Sequence, residues 1–406
     1  MWLTAPPRAQ YIDPAHKESA FFKELEASGH KLKFRKVAEQ GNMVLQTHGE
    51  WDFDNVIVFS ETKTAPSEKS LTNLLEFVDA GGNLILAGGP NSSKWARDLA
   101  FECGVTLGSQ AVVDRFAPST PEFVAAEWPA ASKVLGDRKE STVRFSGTTA
   151  KPSSDAMTMG AVRVLVAPRS AYASKKPLVS GHDAVLVSAV QMRNNARVVV
   201  SGSATVFLDK ANNSAFRKRL AAWAFAERAV LRVTSFNHRK TSGEPTEHQN
   251  HHPAENKQPK STFPDPEWGP NAWMYRIKDE VLWSMVIEEL DEEAGGWKPY
   301  KAEDVQLEFV MLNPYERRTM KHDGRGNFST TVMVPDQYGV FTFRVKYTRP
   351  GVSNLLVLEQ ANVRPYRHDE YDRFLICAFP YYTAALGYMA AFFLFSVAFL
   401  MTPMSR

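Results

Sequence analysis

The sequence predicts an α/β domain, then an all-β domain, then one membrane-crossing helix at its carboxyl end. Three observations predict it. Short apolar strands alternate with amphipathic helices as far as residue 233, the pattern of βαβ units in a doubly wound parallel sheet. After residue 271 helical spacing gives way to short strands separated by turn dipeptides, the grammar of an antiparallel β-sandwich. From Phe374 to Ser405 there is no charged residue, and Tyr382–Met401 is a near-unbroken apolar run. At about 1.5 Å rise per residue that run reaches roughly 30 Å, the thickness of a bilayer's hydrocarbon core.

In the first domain, 14–29 reads as an amphipathic helix leading into a strand at 31–37, and 55–60 (NVIVFS) reads as a buried strand. Ser67 opens a helix whose Leu71, Leu74, Leu75 and Val78 share one face, and Gly81-Gly82 stops it. The strand NLILA at 83–87 follows, then a helix over 92–103 ending at Gly104. Residues 161–167, 184–190 and 197–201 supply further strands, and 213–228 closes the domain as a helix. Residues 106–160 show too weak a periodicity to thread.

Residues 234–271 read as a linker or long loop. Six prolines interrupt a polar, histidine-containing stretch from Thr241 to Asn271 that has almost no aliphatic side chains, so no packed core can form from it. The sandwich is expected over 272–373, with strands at 281–287, 305–311, 327–334, 340–347 and 355–363. Turn signals at Asn313-Pro314, Asp323-Gly324, Tyr338-Gly339 and Pro350-Gly351 separate them. The last segment, 374–406, is the span and a short tail. Pro380 and Pro403 bracket its apolar run. Within the span Thr383, Gly387 and Ala391 lie four apart on one helix face, the small-residue spacing that lets another membrane helix approach closely.

The chain has 406 residues, 23% of them charged, and a net charge of +3, too small to argue for nucleic acid. Cys103 and Cys377 do not make a disulfide framework, and Cys377 lies beside the span, where palmitoylation is an alternative. No phosphate-binding loop follows a strand. The strand-to-helix turn after 83–87 reads Gly88-Gly89-Pro90 and offers no nucleophile. Ser201-Gly202-Ser203 is the other elbow-like turn, read as a tight turn with a serine nucleophile as the rival reading. His248, His251 and His252 lie in the polar tract with no cysteine partner, so no metal site is assigned. Glu288-Glu289 and Asp291-Glu292-Glu293 read as a solvated turn. No cofactor is implied.

Sidedness is left open by these residues. The opening stretch carries no apolar signal core, and Arg364, Arg367 and Arg373 before the span outweigh Arg406 after it, which suits a cytosolic, tail-anchored body. Asn-x-Ser acceptors at Asn91, Asn212 and Asn327 suit a lumenal one.

Several stretches are similar to one family. They are DVQLEFV (Asp304–Val310), VPDQYGVFTFRVKY (Val334–Tyr347), VRPYRHDEYDRF (Val363–Phe374) and AFPYYTAA (Ala378–Ala385). Upstream, QMRNNARVVVSGS (Gln191–Ser203), WAF (Trp223–Phe225) and VLRV (Val230–Val233) match as well, and Asp52–Ser60 and Phe77–Gly88 match more loosely. Together they resemble the 48-kilodalton subunits of the oligosaccharyltransferase complex, equivalent to the yeast wheat-germ-agglutinin-binding subunit. The resemblance implies an amidotransferase-like α/β domain without catalytic residues, a membrane-proximal β domain and one span. It also implies a single-pass type I protein of the endoplasmic reticulum with its body in the lumen. The complex moves a preassembled glycan from dolichol pyrophosphate to Asn of Asn-x-Ser/Thr. Implied partners are a polytopic catalytic subunit, ribophorin-type subunits, the small defender-against-death subunit and membrane lipid, with glycan or nascent chain as a further ligand. Departures from the family are the missing signal peptide, a longer polar tract at 241–271, and a tail, Thr402–Arg406, without lysines. The expected function is therefore that of a non-catalytic accessory subunit. Its rivals are a tail-anchored hydrolase using Ser201 or Ser203 and a cytosolic tail-anchored scaffold.

Overall fold

The computed structural model describes residues 8–11, 19–34, 45–60, 66–114, 116, 124–126, 134, 143–173, 179–208, 213–242, 247–248, 273–291, 296–371 and 374–402. Seven strands form the first sheet, in the order Ala161–Val166, Val185–Gln191, Arg197–Ser201, Asn83–Ala87, Asn55–Phe59, Arg8–Tyr11, Lys31–Phe34. The last five run parallel and the first two join antiparallel. Alternation along the parallel strands decides the packing. Ile57, Phe59, Ile85 and Val199 face Phe21, Phe22, Phe216 and Leu220, from the helices Ala20–Ala27 and Ser214–Ala224. Val56, Val58, Leu84, Leu86, Val198 and Val200 face Leu74, Phe77, Trp95 and Leu99, from the helices Glu68–Asp79 and Lys94–Glu102. Both faces are covered, so the strands read as continuous apolar runs and the sheet is doubly wound.

Ser67 does occupy the N-cap position, yet its hydroxyl makes no capping bond and lies 3.2 Å from the Ser70 hydroxyl. Ser93 caps the next helix, Lys94–Glu102, accepting from Ala96 N–H. The stretch that could not be threaded contributes Val105–Val113 and Thr148–Pro152, which pair antiparallel in a four-stranded sheet completed by Tyr172–Ala173 and Val179–Ser180.

The second body is a sandwich. One sheet runs Val230–Lys240, Glu280–Asp291, Asn327–Met333, Lys321–His322, with Gly296–Pro299 also on Glu280–Asp291. The other runs Glu247–His248, Trp273–Arg276, Leu355–Arg364, Gly339–Tyr347, Gln306–Val310, Pro314–Thr319. Trp283, Met285 and Phe328 from the first pack with Phe309, Phe341 and Phe343 from the second. Two expectations are corrected. The sandwich is not wholly antiparallel: Trp273–Arg276 runs parallel to Leu355–Arg364, because it turns at once into Glu280–Asp291 of the opposite sheet. And Val230–Lys240 is the edge strand of the first sheet, running through position 234, where the linker was expected to begin. Its polar look hides His238, whose ring stacks on Trp283 and whose Nδ1 lies 2.5 Å from the Tyr275 hydroxyl. Most of 241–271 lies outside the described residues.

The C-terminal helix is Phe379–Met401, with Pro380 in its first turn. The stretch Ile376–Met401 is apolar and long enough to cross a membrane, and none of it is buried against the rest of the protein. Its threonine and serine hydroxyls bond within the helix: Thr383 donates to the Pro380 carbonyl at 2.9 Å and Ser396 to the Phe392 carbonyl at 2.8 Å. A helix in hydrocarbon needs this, since no water is there to pair with a hydroxyl.

Candidate functional site

Ligands of open α/β sheets bind beyond the carboxyl ends of the parallel strands. Here that crevice is filled by the chain itself. Ser92 Oγ accepts from Gly89 N–H at 2.6 Å and donates to the Ser60 carbonyl at 2.7 Å, tying two strand ends together. Gly88 N–H donates to the Ser201 carbonyl at 2.8 Å. Both serines named as rival nucleophiles are buried. Ser201 Oγ donates to the Ser203 carbonyl at 2.7 Å, and Ser203 Oγ to the Ser146 carbonyl at 2.5 Å. Over them passes the Gly147–Thr148 backbone. Thr148 N–H donates to the Gly202 carbonyl, and a Cβ placed on Gly202 would fall 1.9 Å from the Thr148 carbonyl oxygen. Only glycine allows that approach. Each hydroxyl is committed to a carbonyl, and among the described residues no His or carboxylate is hydrogen-bonded to either one.

The polar chemistry of the molecule lies instead at the joint between its two bodies. Arg197 opens a central strand, is 1% exposed, and has no carboxylate partner among the described residues. Its guanidinium donates to Gln191 Oε1 at 3.1 Å, to the carbonyls of Trp223 and Arg228 at 2.6 Å each, and to the Ala229 carbonyl at 2.7 Å. It also lies 4.8 Å from the Trp223 ring. Burial without an opposing charge pulls its pKa down to about 9, still charged at neutral pH. Trp223 Nε1 then donates to the Gly351 carbonyl of the sandwich at 2.8 Å. Leu231 N–H donates to Ser353 Oγ, and Ser353 N–H to the Ala229 carbonyl. Asn195, with φ of +69°, accepts from Asn354 N–H at 2.6 Å, and Asn354 Nδ2 donates to the Met192 carbonyl. Thus the stretch QMRNNAR builds a hydrogen-bonded clasp on the second body. Residue-by-residue reading missed this clasp. The available signal was a polar cluster set against a fully apolar strand.

The remaining sequence-marked residues stay apart. Cys103 is buried, which pushes its thiol up to about 12, and Cys377 is exposed; both are free. His248 is placed only as backbone, and His251 and His252 lie outside the described residues. Among the described residues no cluster of ligands for a metal ion occurs. The carboxylates read as a solvated turn at a strand's end lie partly within the strand itself: Glu288, Glu289 and Asp291 are among the last residues of Glu280–Asp291. Glu288 pairs with Arg232 at 2.7 Å, and Lys298 pairs with Asp291 at 2.7 Å. Asn91 and Asn327 are exposed; Asn212 lies outside the described residues. Thr383, Gly387 and Ala391 are exposed on the span, and nothing lies within 4 Å of where a Cβ on Gly387 would sit.

A doubly wound body whose crevice is filled by its own backbone, clasped to a sandwich that carries an apolar helix, defines a two-body membrane protein. Comparison with known proteins gives the family. Residues 12–227 match the model of the OST48 N-terminal domain and 251–403 that of the OST48 middle domain. The chain is 35% identical to the dolichyl-diphosphooligosaccharide–protein glycosyltransferase 48 kDa subunit of Arabidopsis thaliana, over 94% of this chain and 89% of that protein. It is 32% identical to the subunit of the same name in Drosophila melanogaster, over 94% and 87%. A glutamine amidotransferase from Thermotoga maritima overlaps 49% of this chain and 76% of its own, at 10% identity and a TM-score of 0.31. That overlap carries no argument, and the α/β assignment rests on strand order. The chain belongs to the family of 48-kilodalton oligosaccharyltransferase subunits, and it is a membrane protein.

Proposed function

We propose that this chain is a non-catalytic, architectural subunit of an oligosaccharyltransferase, held in the endoplasmic reticulum membrane as a single-pass type I protein with both bodies in the lumen. The observation that carries the reading is the crevice: where an α/β enzyme would place its reactive group, this chain places its own backbone. The clasp supports it from the other side. Strand Leu355–Arg364 begins at the clasp and ends at the segment leading to the span, so at about 3.3 Å per residue the α/β body stands roughly 30 Å from the sandwich's far end. A fixed stand-off suits a component that positions others. The polytopic catalytic subunit, ribophorin-type subunits and the small defender-against-death subunit are the expected neighbours, the span meeting a partner helix through Thr383, Gly387 and Ala391. Glycan or acceptor chain is a further ligand of the α/β body, with no residue assigned.

Depleting the chain should lower glycan occupancy at Asn-x-Ser/Thr sites and destabilise its partners, and unchanged occupancy after complete loss contradicts the proposal. Gly387→Leu meets open space within the chain itself. It should therefore leave the fold intact and reduce co-purification of the complex in detergent; full recovery removes the packing stripe from the account.

A further inference from the structure

The end of the sandwich opposite the clasp exposes large apolar side chains. Leu312, Tyr315, Met333, Tyr338 and Val340 are 93, 50, 57, 65 and 41% exposed. Register places them at one end. Gly339 pairs with Val363 and Val340 with Asn362, beside the last residue of the final strand, Arg364. The turn holding Leu312 passes the same point, since Val310 pairs with Thr342 and a Cβ on Gly339 would lie 3.2 Å from Met311 Sδ. Tyr315 packs edge-on against Phe341, and Met333 N–H donates to Glu316 Oε2. Lys278 N–H donates to the Val334 carbonyl while Ile277 N–H donates to that of Arg364, closing the ring of loops.

This is also the end from which the span leaves, and the connection is short and folded back. Arg364 grips Glu370 with two bonds of 2.6 and 2.8 Å, Glu370 accepts from Arg367 N–H, and the Arg276 guanidinium lies 5.1 Å from the Tyr366 ring. Tyr366 in turn contacts Tyr371, at 5.5 Å between ring centres. From Tyr371 to Phe374 the chain can reach at most about 11 Å. The apolar end is thus held within a short distance of the helix entrance, where exposed Phe374, Tyr381 and Tyr382 already provide the aromatic residues favoured at a membrane–water interface.

We infer that this loop end of the sandwich rests in the headgroup region of the bilayer, Leu312 and Tyr338 entering deepest, as a second membrane contact beside the span. The occupant is lipid rather than protein because the tether makes lipid the surface met without any further component. Apolar and aromatic side chains presented this way enter about 5–10 Å into the headgroup boundary. The inference rests on the membrane reading of Ile376–Met401, and the test separates the two.

The full chain carrying Cys377→Ser is reconstituted in lipid nanodiscs with a bimane at one of four cysteine substitutions: Leu312→Cys, Tyr338→Cys, Phe101→Cys on the α/β body, or Leu400→Cys in the span. Lipids with a nitroxide near the headgroup are the quencher. Strong loss of fluorescence at 312, 338 and 400 but not at 101 is expected. Quenching at 400 with 312 and 338 no more affected than 101 overturns the interfacial contact and leaves the span intact. Quenching at none of the four overturns both.

Discussion

The two ends of the β-sandwich are built from opposite materials. At one end Asn354, Ser353 and the Gly351 carbonyl meet Asn195, Ala229 and Trp223 in directional hydrogen bonds around a buried guanidinium. At the other, Leu312, Tyr338 and Met333 project without polar partners of that kind. Hydrogen bonds fix an angle and a register, whereas apolar contact with lipid fixes only a depth. The sandwich is therefore hydrogen-bonded to the α/β body at one end, and at the other, the end proposed to rest on lipid, it offers only a tether and an apolar rim. The architectural role proposed above would use that division, with reach set within the chain and tilt left to its surroundings.

The comparison can be broken at the clasp. Arg197→Ala should have the largest effect, since it removes the one guanidinium shared by the Trp223, Arg228 and Ala229 carbonyls, leaving Trp223 with only the Ala226 amide and Ala229 with only the Ser353 amide. Hydrogen bonds to a charged group are worth about 1.5–3 kcal/mol each, so losing several should cost at least about 3 kcal/mol, readable as a lower urea midpoint of the full chain in detergent. An unchanged midpoint would mean that the guanidinium is incidental. Gly202→Ala comes next, because its Cβ would overlap the Thr148 carbonyl and must displace backbone. About 1–3 kcal/mol is expected, with the antiparallel sheet at Thr148–Pro152 the first part to lose protection from hydrogen exchange.

Asn195 sharpens the comparison. Asn195→Gly keeps the left-handed backbone and loses the bonds to Asn354, whereas Asn195→Ala loses both. A cost of about 1 kcal/mol for Gly, and more for Ala, would show that the clasp depends on conformation as well as on hydrogen bonding. The smallest effect belongs to the tether. Arg364 first, then the Arg367 amide, hold the Glu370 carboxyl down to about 2, against an ordinary 4.5. A depressed carboxylate contributes its stabilisation above the ordinary value and loses it as the pH falls through the folded one. The Arg367 amide should therefore keep its hydrogen-exchange protection at neutral pH and lose it between pH 4.5 and 2, with the clasp amides unaffected in that window.

What was legible in the sequence was whatever depends on burial alone. NVIVF, NLILA and RVVVS are buried on both faces, so their composition announces a parallel sheet, and the uncharged carboxyl end announces the span. The illegible parts depend on partners distant in sequence. Val105–Val113 alternates buried and exposed residues but finds its mate at Thr148–Pro152, too far along the chain for turn signals to connect them. Val230–Lys240 reads as polar because His238 and Lys240 are buried in company that only the fold supplies: Tyr275 and Trp283 for the first, Asp279 for the second. Arg197 is the extreme case. A lone arginine at the start of a strand names no partner, and its role comes from carbonyls more than 25 residues away. The crevice was half legible: the sequence shows that Gly88-Gly89-Pro90 lacks a nucleophile, but not that Thr148 would occupy the space.

The central claim is that the chain acts through what it holds in place and not through Ser203 or any other group of its own. The most direct measurement is glycan occupancy of a reporter glycoprotein in cells depleted of the chain and supplied with Ser203→Ala, at matched protein level. Occupancy restored to the parental value is the predicted result. Occupancy left at the depleted value, with the variant chain folded and assembled, would contradict it.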